Sequence, residues 1–176
     1  MPGGAEARIT ELGYELPIVP RPAGSYVSAL RVGTLLFTAG QLPFREGQLC
    51  HTGKVGQDLS IEDAQEAARL CALNALAAVK VESNSLDNVC HVAKATGYVA
   101  SAASFNNQPE VMNGASDLLG EIFGESRLHA RTAFDVSELP LNAPVEVELV
   151  RSRTNRVTGP MPHWGRAVQP FQPANH

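Results

Sequence analysis

The pattern of apolar and polar positions divides the chain into short strands, two helices and irregular ends. Two apolar runs, residues 26–32 and 34–39, flank Gly33 and predict a tight β-hairpin. The second run is almost continuously apolar, so we expect it to lie inside a covered sheet. Residues 40–59 contain four glycines and no regular periodicity, which predicts a long loop.

Helical spacing begins at Ser60, which forms a capping box with Asp63 that satisfies free backbone N–H groups at a helix start. This helix is predicted to run to residues 80–83. A second helix is predicted from Pro109, which suits the first helical position, to Gly124. The buried stripe of the first helix consists mostly of small residues that permit close packing on a sheet: Ala64, Ala67, Ala68, Cys71, Ala75, Leu76 and Val79.

Three more strands are predicted, over residues 89–99, 131–136 and 145–151. In the last strand Glu146 and Glu148 alternate with apolar residues, which indicates one polar and one apolar face. The element order is therefore ββαβαββ, an α+β fold with two helices packed on one face of a mixed sheet. If the other face of the sheet is apolar, association of copies is the simplest way to bury it.

The length of 176 residues favours a single domain. Residues 1–25 form an irregular lead-in in which the spacing of Ile9, Leu12 and Leu16 permits one short helix. Residues 26–151 form the predicted domain. The hydrophobic periodicity then stops, and residues 152–176 form a basic tail that contains proline.

Charge narrows the classes of function. The formal net charge of −4 argues against a protein that coats nucleic acid or anionic lipid. Residues 1–150 carry 10 basic and 18 acidic residues, a balance of −8, whereas residues 151–176 carry four arginines and no acid. Such a tail offers RNA a weak, salt-sensitive contact at most, so nucleic acid is not an expected partner.

Cysteine and histidine positions indicate neither a disulfide framework nor a metal site. The three cysteines form no CxxC motif, and the five histidines are scattered. Cys71 falls on the buried helix stripe and is predicted to be a core residue. His129 lies close to Arg131 in the sequence and could line a site, but it is interpreted as a structural or surface histidine. With neither a secretory leader nor an apolar stretch long enough to span a membrane, we expect a cytoplasmic location.

Residues 130–149 carry the most specific pattern of the chain. Their sequence, ARTAFDVSELPLNAPVEVEL, resembles the C-terminal signature of the YjgF-type reactive intermediate deaminases, the Rid family. In that signature an arginine opens a strand, a Leu-Pro turn follows, and a Val-Glu-(Ile/Val)-Glu strand closes the fold. Tyr26 with its hairpin and the sequence TAGQ at 38–41 are similar to the N-terminal signature. The resemblance covers about residues 8–150, and segments 51–56 and 66–75 look like a divergent branch labelled endoribonuclease L-PSP.

The resemblance implies a chorismate-mutase-like fold and a homotrimer with clefts between subunits. It also implies hydrolysis of enamines and imines to 2-keto acids and ammonia, without a cofactor. Many members have Ser where this chain has Ala39 and Cys where it has Ala133, which leaves the substrate open. Matched residue by residue, Arg131 and Glu146 are assigned to catalysis, and the substrate-binding positions are Tyr26, Ala39, Gly40, Asn113 and Ala133.

The chemistry of these residues suits a small carboxylate substrate. Arg131 offers the planar pair of donors that holds a carboxylate, and Glu146 can move a proton between attacking water and departing nitrogen. A symmetric hairpin over residues 137–144 places Glu146 opposite Asp135 instead, so irregular pairing or a neighbouring subunit must join it to Arg131. Two other hypotheses stay open: a non-catalytic module that binds a small carboxylate or a protein, and a ribonuclease or translation inhibitor.

Overall fold

The structure, a computed structural model, describes residues 4–19, 24–88, 91–124 and 129–152. The mixed α+β fold predicted from the sequence is confirmed, and of the predicted tail only Ser152 is described. The helices are α1 (Ala5–Glu11), α2 (Ile61–Ser83), α3 (Gln108–Val111) and α4 (Asn113–Phe123). The strands are β1 (Ala29–Val32), β2 (Leu35–Thr38), β3 (Phe44–Arg45), β4 (Gln48–Leu49), β5 (His91–Ala100), β6 (Ala130–Val136) and β7 (Val145–Ser152).

The main sheet has the strand order β1-β2-β7-β5-β6. Strand β5 pairs in parallel with β6 and antiparallel with β7, so it separates two strands that are consecutive in the chain. The symmetric hairpin considered for residues 137–144 is therefore wrong. The segment that connects β6 to β7 must therefore cross from one side of β5 to the other. It contains a turn in which Leu141 (φ 58) and Asn142 (φ 60) adopt left-handed backbone conformations.

The sheet has one covered face and one open face. The apolar residues of β7 are buried on the helix side, while Glu146 and Glu148 face the other way, as the alternation predicts. In β2, Leu36 is buried but Leu35 and Phe37 are 37% and 40% exposed. The expectation that this arm lies inside a covered sheet is therefore wrong for a single copy, because only one of its faces is covered.

Helix α2 is the centre of the core. The Ser60 hydroxyl oxygen accepts a hydrogen bond from the Asp63 N–H at 3.1 Å, which confirms the predicted cap. Burial exceeds the predicted stripe and includes every residue from 70 to 79, Cys71 among them. Asn74 donates to the Phe44 carbonyl at 2.9 Å and so ties the β3–β4 hairpin, in a segment predicted to be a long loop, to the core. Within the described ranges, no helix has the length and apolar character needed to cross a membrane.

The second predicted helix is divided into α3 and α4 at Met112. Met112 is fully buried and packs against Gly97 of β5, where a Cβ atom would clash with its side chain. A Cβ atom at Gly114 would clash with the backbone carbonyl of Gln65 in α2. These two glycines let the helix junction approach both the sheet and α2, and the approach places Asn113 at the start of α4.

We expect Gly97→Ala to lower the free energy of unfolding by about 1–3 kcal/mol, the usual cost of overpacking a dense core. Alanine is otherwise preferred to glycine in a strand, so a loss of stability reports the clash with Met112. Met112→Ala makes room for the added methyl group, and the double variant should lose less than the sum of the single losses. Urea unfolding of the four proteins measures this coupling, and strictly additive losses would contradict the close approach.

Candidate functional site

Arg131 lies near the start of the edge strand β6, and its side chain reaches helix α4. Its Nη1 atom donates to Asn113 Oδ1 at 2.9 Å and to Ser116 Oγ at 3.1 Å. Asn113 and Ser116 are three residues apart and therefore share one face of the helix. Ser116 Oγ also lies 3.2 Å from His129 Nε2. We call these four residues the arginine cluster.

The Arg131 guanidinium is not neutralised by a carboxylate in the part of the chain that the structure describes. Desolvation lowers its pKa, and the negative charge of Asp117 acts in the opposite direction. Arginine stays protonated at neutral pH in either case. Both hydrogens of Nη1 are committed to α4, whereas no described residue accepts a hydrogen bond from Nε or Nη2. A cation with two adjacent free donors is suited to bind a carboxylate bidentately.

Glu146 is the second candidate catalytic group, and it lies on the open face of the sheet. Its carboxylate occupies the space in which a Cβ atom at Gly40 would lie. Burial raises the pKa of Glu146, and the negative charge of Glu148 raises this pKa further. A carboxyl group with a raised pKa holds a proton more strongly than an ordinary carboxyl group does, which suits a group that accepts and returns a proton in general acid–base catalysis.

The space that the Glu146 carboxylate occupies is formed by a bulge that follows β2. Gln41 pairs with Val147, one residue out of the register in which β2 pairs with β7. The extra residue is accommodated around Gly40, as in a β-bulge. The predicted TAGQ motif therefore marks the point at which the backbone turns beside the glutamate.

An aromatic ring lies beside Glu146 on the open face of the sheet. Tyr98 of β5 lies level with Glu146, and its ring meets Phe134 edge to face with centroids 5.1 Å apart. Burial raises the pKa of the Tyr98 hydroxyl, and the charge of Glu148 and a hydrogen bond to it add to this effect. Tyr98 is therefore a neutral hydrogen-bond donor beside two carboxylates.

A single copy does not bring Arg131 and Glu146 together. Arg131 is level with Leu149 of β7, whereas Glu146 is level with Tyr98 of β5. Three residues along the strands and two strand spacings separate the two backbones, about 14 Å in the plane of the sheet. Their side chains also point to opposite faces, since Arg131 contacts α4. A pocket shared by both groups therefore requires a second copy of the chain.

Two of the other predicted site residues, Asn113 and Ala133, lie near Arg131. Asn113 binds Arg131, and Ala133 follows on the same face of β6, partly buried against the core. Ser116 was missed by sequence reasoning. Its spacing of three residues from Asn113 on a predicted helix was the available signal, but a lone serine in a helix carries no motif.

Of the remaining predicted positions, Gly40 and its neighbour Ala39 lie near Glu146, and Tyr26 lies apart from both candidate catalytic groups. Gly40 contacts Glu146, and the adjacent Ala39 donates its backbone N–H to Ser28 O at 2.9 Å. Tyr26 is 58% exposed ahead of β1, and no described hydrogen bond joins it to either candidate catalytic group. Among the residues described, no group of three or more His, Cys, Asp or Glu side chains is placed to hold a metal ion.

Comparisons with known proteins agree with this fold. The family described as "YjgF/chorismate mutase-like, putative endoribonuclease" matches residues 6–152. Protein TCP17 of Trypanosoma cruzi is 40% identical over 154 residues, which cover 87% of this chain and 96% of that protein. A 2-iminobutanoate/2-iminopropanoate deaminase of Dermatophagoides farinae is 28% identical over 134 residues, which cover 76% of this chain and 90% of that protein.

Two solved structures resemble the whole domain. The protein Atu1372 of Agrobacterium tumefaciens has 42% identity and a TM-score of 0.79, over 84% of this chain and 91% of that chain. A "putative endoribonuclease" of Shewanella oneidensis has 34% identity and a TM-score of 0.83, over 85% of this chain and 99% of that chain.

The raised pKa of Glu146 predicts a pH-dependent effect of Glu146→Gln on stability. The folded protein holds this proton to higher pH than the unfolded chain, so the wild type loses stability as pH rises from the ordinary value of 4.5 through the raised folded value. The variant should therefore gain stability over the wild type near pH 7.5 and little near pH 4. Urea unfolding at both pH values measures the gain. Glu46→Gln, which removes an exposed carboxylate from the β3–β4 turn, serves as the control, and an equal gain from it would contradict the burial of Glu146.

Proposed function

The chain belongs to the YjgF/chorismate mutase-like family, and on that premise we propose that it is an enamine and imine deaminase. Its substrates are 2-imino acids, which it hydrolyses to 2-keto acids and ammonia. The observation that carries the proposal is Arg131, a cation that α4 holds in place and whose Nε and Nη2 donors are free of described partners. The deaminase activity named for the Dermatophagoides farinae relative supports the choice of reaction.

In the proposed reaction, Arg131 binds the substrate carboxylate and so fixes the imine carbon for attack. Water adds to that carbon, a C–O bond forms, and the electron pair of the C=N double bond moves to nitrogen. Collapse of this tetrahedral intermediate breaks the C–N bond, leaves the keto group and releases ammonia. Glu146 accepts one proton from the attacking water and delivers it to the nitrogen. As the C–N bond breaks, Glu146 takes the remaining proton from the hydroxyl group of the intermediate and delivers it to the nitrogen, so that both hydrogens of the water leave in ammonia. The raised pKa of Glu146 supports this proton transfer.

The proposed site is complete only in an assembly, and the assembly we propose is a homotrimer. Arg131 and Glu146 point to opposite faces of one sheet, so a cleft that holds both draws them from different copies. The open face supports this arrangement, because it presents apolar side chains that are exposed to water in a single copy and that association would bury. These exposed residues are Leu30, Val32, Leu35, Phe37 and Phe134.

A homotrimer of this chain should have a mass in light scattering of about three times 18.7 kDa. Phe37→Glu places a charge on the open face and should shift the protein toward a monomer. This monomer should not release ammonia, because it lacks the site shared between copies. Val81→Glu is the matched control, because Val81 is 69% exposed on α2, outside the sheet. A wild type that stays monomeric at high concentration, or a trimer indifferent to Phe37→Glu, would contradict this assembly.

Arg131→Ala should lower kcat/KM for ammonia release by about 100-fold or more, because the substrate loses a bidentate charged contact and its orientation. The substrate is 2-iminobutanoate generated enzymatically in the assay. Arg131→Lys should also be impaired, since lysine keeps the charge but not the pair of adjacent donors. Arg45→Ala removes an exposed arginine paired with Glu66 and should leave the rate unchanged. Equal rates in wild type and Arg131→Ala would refute the proposed function.

A second candidate function is a non-catalytic module that captures small carboxylates. Ala39 and Ala133, which replace Ser and Cys of many family members, favour it because they remove two reactive side chains from the site. Binding of 2-ketobutanoate in calorimetry without ammonia release from the imine would establish this alternative. The acidic balance of residues 1–150 gives little support to the ribonuclease activity named for the Shewanella oneidensis structure.

A further inference from the structure

The hydrogen bonds of the arginine cluster restrict how Arg131 can receive a ligand. A guanidinium has five N–H donors, two on each Nη atom and one on Nε. The two hydrogens of Nη1 match the two acceptors on α4, Asn113 Oδ1 and Ser116 Oγ. A carboxylate that approaches end-on would need one of these hydrogens. The side edge formed by Nε and Nη2 remains open to a bidentate ligand.

Ser116 is held from two directions. Its Oγ accepts from Arg131 at 3.1 Å and lies 3.2 Å from His129 Nε2. A serine inside a helix commonly hydrogen-bonds a carbonyl one turn earlier in its own helix. No described side-chain hydrogen bond of Ser116 has that form. Its two partners are His129, which precedes β6, and Arg131, which lies in β6. The hydroxyl therefore connects the helix layer to the edge strand.

We propose that Ser116 is a positioning residue for Arg131, which together with Asn113 commits Nη1 and presents the Nε–Nη2 edge to the substrate carboxylate. The inference rests on the proposed carboxylate site. With both acceptors in place the guanidinium plane has one orientation relative to α4, and so has the bound carboxylate. Without Ser116, one Nη1 hydrogen is free, the plane can rotate about the remaining bond to Asn113, and end-on binding competes.

The test is calorimetric binding of 2-ketobutanoate to the full chain, with ammonia release measured on the same preparations. Ser116→Ala should weaken binding by about 5- to 20-fold, somewhat less than a whole charged hydrogen bond contributes. KM should rise by a similar factor, while kcat changes less. Ser116→Thr keeps the hydroxyl and should restore most of the affinity. Ser137→Ala, in the turn after β6, removes a hydroxyl that has no described hydrogen bond and should bind as the wild type does.

The side-edge geometry has its own readout. The Nε–H signal of Arg131 in nitrogen-15 spectra is identified by its absence from the spectrum of Arg131→Lys. Addition of 2-ketobutanoate should shift this signal in the wild type, and should shift it less in Ser116→Ala. Equal affinity of Ser116→Ala and wild type, failure of Ser116→Thr to restore binding, or an unshifted Nε–H signal would each overturn the inference. Binding that depends on Arg131 and Ser116 without ammonia release would refute the deaminase proposal and support the role of Ser116.

Discussion

The close approach of the helix layer to the sheet is the constraint on which the rest of the structure depends. At Gly97 and Gly114 there is no room for a side chain, because Met112 and the backbone of α2 already occupy the space. This contact divides the second helix at Met112 and begins α4 at Asn113. The acceptors for Arg131 therefore lie on a helix whose start is fixed by core packing, and that packing sets the orientation of the cation.

Hydrophobic periodicity predicts most of the architecture, because burial acts on each element locally. The cap at Ser60, the alternation of β7 and the hairpin around Gly33 all follow from short segments of sequence. The separation of β6 from β7 could not be predicted in this way, since no local pattern records which strand lies between them. The resemblance assigned both Arg131 and Asn113 to the site, and the structure joins their side chains by a hydrogen bond, whereas Ser116 became visible only through its contacts.

The two candidate catalytic groups differ in what supports them. Arg131 depends on the covered face, where hydrogen-bond acceptors hold it. Glu146 depends on the open face, where a bulge, a glycine and a second carboxylate set its position and its protonation. In the proposed mechanism, a change in the core therefore acts on substrate orientation, while a change at the open face acts on proton transfer. This division follows from the two-sided geometry of a β-sheet.

The strand order has a consequence for how the protein is made. The last described strand, β7, lies between β2 and β5, so it joins the β1–β2 hairpin to the β5–β6 pair. Until residues 145–152 have left the ribosome, no strand of the main sheet can join the β1–β2 hairpin to the β5–β6 pair by hydrogen bonds. Cooperative folding of this domain must therefore wait for the end of its synthesis, and a chain interrupted before Val145 exposes two unsatisfied strand edges.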